Sequence, residues 1–584
     1  MIILGVHSPI GLYRNGVHDS NITIIKDNTV LFSSAEARFS RKKYDGSFPT
    51  RSIKTALKRF NIKPSDVDII TWTGAGKEGA YWNNGDADVF FKKIFKKAKL
   101  IYSGHHSSHA AAALLSSNFY DEDINIFTLD GSGDYYIGKD GSTNFISSLF
   151  AIANQNLKKF DIITTLEGSE SNQWNYDSLG GFYLSVSGMI MICITGKLSF
   201  PISYNTFNNV KNKFISENND WGYILNGAPG KVMGLAAFGD YSKVTLPSPF
   251  TLFQTDQNSF PLIKRTFLIE EELLGINYLN YTFTPADLAS WLQKSFEDVI
   301  IEYLKRIPVQ YKRSKLCFGG GCALNINLNS RIISEGLYED VHIHPAPSDE
   351  GLSFGSAMYY AWQNNINVEP LTNIGCIGNE YFDSDVFEAL NKFSSKVSFD
   401  RRESITDVCN IIAQELSNNK IVAWFQGKSE YGPRALGNRS ILANPAFDNR
   451  DLLNTKIKKR EYWRPYAAVI LDDYLNDWFI CSKKDIPYML FSGVVKQDKE
   501  KIIPSVVHKD KTCRVQTVNK KLNTPLSMII TAFMKHTGVP LLLNTSFNTL
   551  PGEPIVETPL DAIVSFLNSE IDTLVINNYL IKRK

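Results

Sequence analysis

Short apolar runs recur along the chain at 2–6, 67–73, 124–129, 315–318, 341–344, 421–425 and 467–471, each bounded by polar or glycine-rich turns. Runs of this length with such boundaries predict buried β-strands. Residues 21–26 and 29–34, joined by Asp27-Asn28, predict a hairpin. Helices are expected near 50–61, from His105 through Ala110-Ala111-Ala112-Ala113, around 286–307, from about Gly351 to Trp362, and over 404–418. The strand at 124–129 ends in Asp130-Gly131-Ser132-Gly133-Asp134. The one at 315–318 ends in Gly319-Gly320-Gly321, with a helix expected to start near Cys322. Such strand–glycine turn–helix junctions in a mixed sheet indicate α/β architecture, with ligands at the strand C-termini.

A chain of 584 residues exceeds what one hydrophobic core usually serves, so two or three domains are expected. The polar, proline-bearing stretch 363–372 breaks the periodicity and marks a boundary between domains 1–365 and 366–584. Hydrophobic residues at 43% and charged residues at 21% fit a soluble globular protein. The first residues lack a basic leader and read as a buried strand, not a signal peptide. No apolar stretch reaches membrane-helix length, so no membrane association is expected. The seven cysteines form no CxxC pair, which points to reduced thiols in a cytoplasmic protein and away from a thiolate zinc site. A net charge of +2 neither requires nor excludes a polyanionic partner. Residues 90–99 interleave five lysines with aromatics, which fits an amphipathic helix with a solvated basic face or a phosphate-tracking patch.

Three constellations carry candidate chemistry. On a helix, His105 and His109 are one turn apart and share a face, a spacing that chelates an ion but also occurs among surface or core histidines. Asp130 closes a buried strand and needs a partner if ionised. Asp349 sits at another strand-to-helix junction, where it could equally be a helix cap. Two imidazoles with two carboxylates form a mixed N/O set suited to Fe(II), Mn(II) or Zn(II).

The second constellation is glycine turns. Gly319, Gly320 and Gly321 precede Asn325, and Gly230-Lys231 lies in a glycine-rich segment at 226–234 that is expected to form a second loop. Glycines let backbone amides approach phosphate, although a glycine turn is often only a turn. The third is basic. Arg434, Asn438, Arg439 and Ser440 share one loop, and residues 456–464 pack five cations, among them Lys458, Arg460 and Arg464, ahead of an apolar strand. Arginines there fit a small polyanion, or a solvated charged turn. Residues 544–548 offer further hydroxyl and amide groups at a strand end.

Together, His18-Asp19-Ser20, the stretch 36–43, the HxxxH, Gly230-Lys231-Val232-Met233-Gly234, GGGxALN, GPRALGNRS, NTSFN and Gly552-Glu553-Pro554-Ile555 resemble O-carbamoyltransferases of the NodU/CmcH type across nearly the whole chain. The resemblance implies an N-terminal domain of the actin/hexokinase-like ATPase fold and a C-terminal α/β domain of the YrdC type. It implies that His105, His109, Asp130 and Asp349 hold one Fe(II) or similar transition metal. In the C-terminal domain, Lys458, Arg460, Arg464, Arg514, Ser546 and Asn548, with Arg434, Asn438, Arg439 and Ser440, would bind ATP with Mg2+ and carbamoyl phosphate, forming carbamoyl-adenylate. Gly131, Gly230, Lys231, Gly319, Gly320, Gly321 and Asn325 would then hold the adenylate in the N-terminal domain. His18 is the candidate general base with Asp19 orienting it, or the two form a structural pair. The acceptor implied is a hydroxyl of a sugar- or antibiotic-like small molecule, with a hydroxymethylated pyrimidine in DNA as the alternative, and the protein a monomer or homodimer. A sugar-kinase-like ATPase or a non-catalytic nucleotide- or tRNA-binding scaffold are the competing readings. The loop at 11–17 is longer than the family pattern and residues 170–225 match it loosely; acceptor recognition is expected there.

Overall fold

The computed structural model describes all residues except 9–17, 75–83, 120–122, 138–142, 155, 170–177, 197–208, 210–220, 256–259, 266–282 and 523. The loop 11–17 and much of 170–225 lie outside the described residues. The chain forms two compact units, one of residues 1–18, 46–48 and 63–368, the other of 19–45, 49–62 and 369–584. The division is not contiguous in sequence, whereas the sequence reading cuts the chain once. The hairpin Asn21–Lys26/Thr29–Ala35 and the helix Thr50–Arg59 group with the C-terminal residues.

In the first unit, strands Ile2–His7, Ile69–Thr73 and Lys99–Tyr102 form a parallel ladder. A second sheet runs from Asp340–Ile343 through Lys315–Gly319 and Asn125–Leu129 to Thr143–Asn154. Its first three strands are parallel, with Thr128 opposite Gly319. Helix Leu352–Gln363 packs on strands 2–7 and 69–73, and helix His105–Leu115 packs on strands 125–129 and 315–319. The two helices also pack on each other, through the small buried stripe Ala110-Ala111-Ala112-Ala113. Their approach is so close that a Cβ on Gly355 would lie 1.9 Å from the Ser108 carbonyl oxygen. Leu179–Thr195 is an almost wholly buried apolar helix, packed against Trp221–Leu235 and Pro285–Lys305. Among the described residues no helix is long and apolar enough to cross a membrane.

The second unit is built on a ten-stranded mixed sheet. At its centre, Val422–Phe425, Arg439–Ala443, Leu541–Ser546 and Ala467–Leu471 are successive antiparallel neighbours, and Thr512–Val518 continues parallel to the last. The register sets Ser440 opposite Ser546, Ala467 opposite Asn544, and Arg514 opposite Ala467. One end of these strands therefore collects the basic and hydroxyl residues singled out above.

Three local expectations change. The turn after Gly320 is a short 3-10 helix, and the α-helix begins at Ile326, capped by Asn325, whose Oδ1 accepts from Leu328 N (3.2 Å). Residues 226–234 lie inside the helix Trp221–Leu235 and do not form a loop. Helical backbone amides are committed to the ladder and cannot cradle a phosphate. The basic stretch 90–99 is helical only to Ile94 and is then followed by strand Lys99–Tyr102. Phe91 and Phe95 are buried while Lys92, Lys93, Lys96 and Lys97 are exposed, a solvated basic face. All seven cysteines are free.

Because the Gly355 contact is with backbone, it cannot yield as a flexible side chain would. Gly355→Ala is expected to destabilise the first unit by about 1–3 kcal/mol through overpacking. Chemical denaturation checks this; unfolding indistinguishable from wild type would mean that the two helices do not meet there.

Candidate functional site

The parallel pairing of strands 125–129 and 315–319 brings two glycine turns side by side, and both donate to one carboxylate. Gly131 N donates to Asp130 Oδ1 (2.6 Å) and Gly321 N to Asp130 Oδ2 (2.9 Å). The turns are packed tightly. Gly320 adopts φ +90° with its Cβ position 2.3 Å from the Leu129 oxygen, a place only glycine fills without strain. Ser178 caps the helix 179–195 and donates its Oγ to the Gly131 carbonyl (2.5 Å), so that helix abuts the same turn.

Helix 105–115 supplies the imidazoles, and Asp134 fixes its first turn by accepting from the His105 and His106 amides (2.7 and 3.2 Å). His106 faces away, its ring bonded to Thr128 Oγ1 and the Ile146 carbonyl (2.8 Å each). His105 and His109 converge with Asp130 and Asp349, one ligand atom from each lying within 4.8 Å of all the others. His109 Nε2 is 3.0 Å from Asp130 Oδ2, 3.1 Å from His105 Nε2 and 3.6 Å from Asp349 Oδ1. His105 Nε2 stands 3.8 Å from Asp130 and 3.7 Å from Asp349. Against the cost of its burial, hydrogen bonds and charges from Asp130 and Asp349 lift His109 to about 9. Burial works against Asp130 and Asp349 too, yet the neighbouring histidines hold both carboxyls well below their ordinary values.

His18 is half-buried, its Nε2 4.0 Å from Asp349 Oδ2. Asp19 is buried with left-handed backbone (φ 57°), and its carbonyl accepts from Asn21 Nδ2 (2.6 Å). His7, which the sequence reading passes over, ends the first strand 3.6 Å from Asp349 Oδ2; burial lowers it to about 4. Its only sequence signal is a histidine closing an apolar run. Of the residues expected to hold an adenylate, Gly131, Gly320 and Gly321 line the Asp130 turn, but Gly320 N is bonded to Pro347 O (2.9 Å). Asn325 also exchanges hydrogen bonds with Gln293 (3.0 and 3.2 Å). Gly230 and Lys231 are helical, which leaves only the lysine side chain to offer.

In the second unit the chain enters its cationic turn through a π-helical segment, Leu452–Ile457. Lys459 takes left-handed backbone (φ 46°) and is exposed, while Lys458 is buried and Arg460 largely covered. That alternation gives the K-x-R spacing its meaning. Lys458 Nζ donates to Ser546 O (2.6 Å), Ser546 Oγ (3.1 Å), Asn548 O (2.8 Å) and Asn548 Oδ1. Burial, then the charges of Arg460, Arg464 and Lys43, push this amine well below its ordinary value. Arg460 stacks on Tyr466 (4.7 Å) and donates to Asn454 Oδ1 (2.8 Å); burial lowers it to about 10. Burial and the charges of Arg434, Arg464 and Arg460 depress Arg514 in the same way. Its Nε is buried with no hydrogen-bond partner among the described residues.

Arg439 and Asn438, expected to touch phosphate, are spent on the fold. Arg439 is fully buried over Phe425 and donates to the carbonyls of Gln426, Asn438 and Gly427 (2.8, 2.9 and 3.1 Å). Asn438 Nδ2 donates to Lys428 O (2.6 Å). Ser440 is buried, its Oγ without a hydrogen-bond partner among the described residues, beside Ser546 in the sheet. Glu430, also unforeseen, shapes the arginine loop by accepting from the amides of Leu436, Asn438 and Arg439 (3.0, 2.8 and 2.8 Å).

The chain matches two family models. One, described as carbamoyltransferase N-terminus, covers residues 9–84 and 77–358; the other, carbamoyltransferase C-terminus, covers 413–583. Nodulation protein NolNO of Sinorhizobium fredii is 29% identical, over 97% of this chain and 79% of that protein. Nodulation protein U of Rhizobium fredii is 35% identical, over 91% of this chain and 88% of its own. The solved structure of full-length HypF in its phosphate- and nucleotide-bound form overlaps at a TM-score of 0.36 and 17% identity, over 62% of this chain and 46% of that one. Matched by both family models over most of its length, the chain belongs to the carbamoyltransferase family and is a transferase.

Proposed function

We propose that the protein is an ATP-dependent O-carbamoyltransferase whose second unit activates the carbamoyl group and whose first unit transfers it. The observation that carries this reading is the cluster of cations at one end of a sheet, Lys458 buried and Arg460, Arg464 and Arg514 partly buried around it, with the Arg514 Nε buried and without a hydrogen-bond partner among the described residues. Like charges brought together away from water repel one another, and a bound polyanion offsets that repulsion. ATP with carbamoyl phosphate is such a ligand.

In this reading water releases phosphate from carbamoyl phosphate, and the resulting carbamate oxygen attacks the α-phosphorus of ATP. Pyrophosphate leaves and carbamoyl-adenylate forms. Arg460, Arg464 and Arg514 stabilise charge on the phosphoryl oxygens, while Lys458 and Ser546 orient the reacting groups. In the first unit an acceptor hydroxyl then attacks the carbamoyl carbon, and AMP leaves. His18 takes the hydroxyl proton, with Asp349 stabilising the imidazolium.

His105, His109, Asp130 and Asp349 fit a metal ion. Ligands about 2.1 Å from one ion at tetrahedral or octahedral angles lie roughly 3.0–3.4 Å apart; the pairs that include a histidine lie 3.0 to 3.8 Å apart, and all four atoms fall within 4.8 Å. The N/O donor set suits Fe(II) or a similar ion, which when bound would polarise the carbamoyl oxygen as a Lewis acid.

Separating the two half-reactions tests the scheme. Lys458→Ala and Arg514→Ala are expected to abolish pyrophosphate release that depends on carbamoyl phosphate, whereas His109→Ala and Asp349→Ala leave it intact and stop transfer. Formation of ADP in place of AMP would instead identify a kinase.

The metal should bind with a defined pH dependence. Below about pH 9 the ion must displace the His109 proton, so apparent affinity rises by about tenfold per pH unit and levels off above that value. Competition with a fluorescent chelator measures the slope; a flat profile would mean that His109 is already neutral, and unchanged affinity in His109→Ala would exclude it as a ligand.

For the acceptor, a sugar-like hydroxyl is the default, and the exposed lysines 92, 93, 96 and 97 are expected to be solvated charge without a substrate role. Replacing all four with Gln should leave carbamoyl transfer to an aminosugar panel unchanged at any salt concentration. Transfer to hydroxymethylcytosine DNA that falls steeply with salt, and is lost in that variant, would point to the polymer.

A further inference from the structure

We propose that Lys43 is a further anion-binding residue of the second unit's cationic pocket, delivered there by the segment 36–45 near the start of the chain. The inference rests on the reading that this pocket binds a polyanion. Residues 19–45 are part of the second unit, and three side chains fasten this segment to it. Glu36 accepts from Ser52 Oγ (2.5 Å) and from the amides of Arg51 and Ser52 (3.0 and 2.9 Å), tying it to the helix 50–59. Arg38 Nη2 donates to the carbonyls of Glu430 and Gly432 (3.3 and 3.2 Å) in the arginine loop. Arg41 donates to Glu553 Oε1 (3.2 Å) and to the carbonyls of Pro554 and Ile555 (3.0 and 2.7 Å).

That last anchor bears directly on the pocket. Glu553 O accepts from Asn548 Nδ2 (2.7 Å), and Asn548 is one of the residues that hold Lys458. Arg41 and Tyr44 both adopt left-handed backbone (φ 61° and 58°). Neither is glycine, and such strained pairs persist where the surrounding structure over-determines them, commonly at binding sites. Between them Lys42 is exposed and Lys43 is half-buried, its Nζ 5.0 Å from the Tyr44 ring centroid. Lys43 is also among the charges that depress Lys458, so its ammonium lies near the same buried amine. A fifth cation brought up to a pocket that already gathers Lys458, Arg460, Arg464 and Arg514, by a triply anchored turn, has a use if the ligand is a polyanion.

Titration calorimetry of the full-length protein with pyrophosphate and with ATP tests the proposal, using Lys43→Gln, Lys43→Met, Lys43→Arg, Lys42→Gln and Lys458→Ala. Loss of one charge-assisted contact should weaken pyrophosphate binding by roughly tenfold or more in Lys43→Gln and Lys43→Met. Lys43→Arg should restore most of it, and Lys42→Gln, one residue away with the same charge change, should bind as wild type. Equal weakening at positions 42 and 43 would reduce the effect to diffuse charge and overturn the proposal. Wild-type affinity in both charge-removing variants, with Lys458→Ala inactive in binding, would remove Lys43 from the site and leave the pocket's assignment standing. A wild-type protein that binds neither ligand would overturn both.

Discussion

Asp130 is a carboxylate held away from most solvent, and the geometry of the first unit follows from how it is stabilised. Burying an ionised carboxylate costs several kcal/mol unless donors replace the lost water. Here the donors are the amides of Gly131 and Gly321 and the ring of His109. The amides can reach it because two parallel strands end in adjacent glycine turns. The ring can reach it because helix 105–115 settles onto those strands, with a Cβ on Gly319 already 3.0 Å from the His109 carbonyl. Side chains larger than hydrogen at 319 or 355 would push the helix away, so that His105 and His109 would leave the carboxylates, and one at 320 would force the glycine turn off the strand end at Leu129. Backbone packing thus sets the distances among the four candidate ligands, which is why they come from three separate chain segments and still converge.

The second unit solves the opposite electrostatic problem. Its polar end concentrates cations, holding Lys458 with carbonyl, amide and hydroxyl oxygens and pairing Arg464 with Glu461 (3.5 Å). Lys458 is fixed by the turn at 546–548, not by an acid. The acids nearby are turned to structural work, Glu430 on the arginine loop and Glu553 on the turn 549–553 and Arg41. One carboxylate does stand among the arginines: Glu461 pairs with Arg464 at 3.5 Å. In the proposed pocket a phosphoryl ligand would compete with that ion pair for Arg464, while Lys458, held by carbonyl and hydroxyl oxygens, meets no such competitor.

Much of this was legible in the sequence for definite physical reasons. HxxxH on a run of alanines can only be a helix with two imidazoles on one face, and both aspartates sit where apolar runs end. Local chemistry decides such cases. The misreadings arise where local chemistry is ambiguous. Gly230 and Lys231 looked like a loop because Asn, Gly and Pro crowd there, yet tertiary packing against the helices 179–195 and 285–305 keeps the segment helical. Arg439 carried the same sequence signal as Arg434, and only register shows that it begins a buried strand and turns back onto backbone carbonyls. His7 gave only the signal of a histidine closing an apolar run, because its neighbour Asp349 lies at the far end of the unit's sequence.

The non-contiguous division of the chain has a mechanistic side. A cut near 363–372 would place Arg38 and Arg41 outside the part that carries Lys458, although their partners Glu430, Gly432 and the turn 553–555 lie in it. Arg38 spans the carbonyls at 430 and 432, Glu430 spans three amides from 436 to 439, and the loop between them carries Arg434. Removing the early segment would leave those carbonyls without their buried donor and loosen the loop at both ends. The packing of the arginine loop and of the 553–555 turn therefore depends on residues far apart in the sequence, because the early segment completes it.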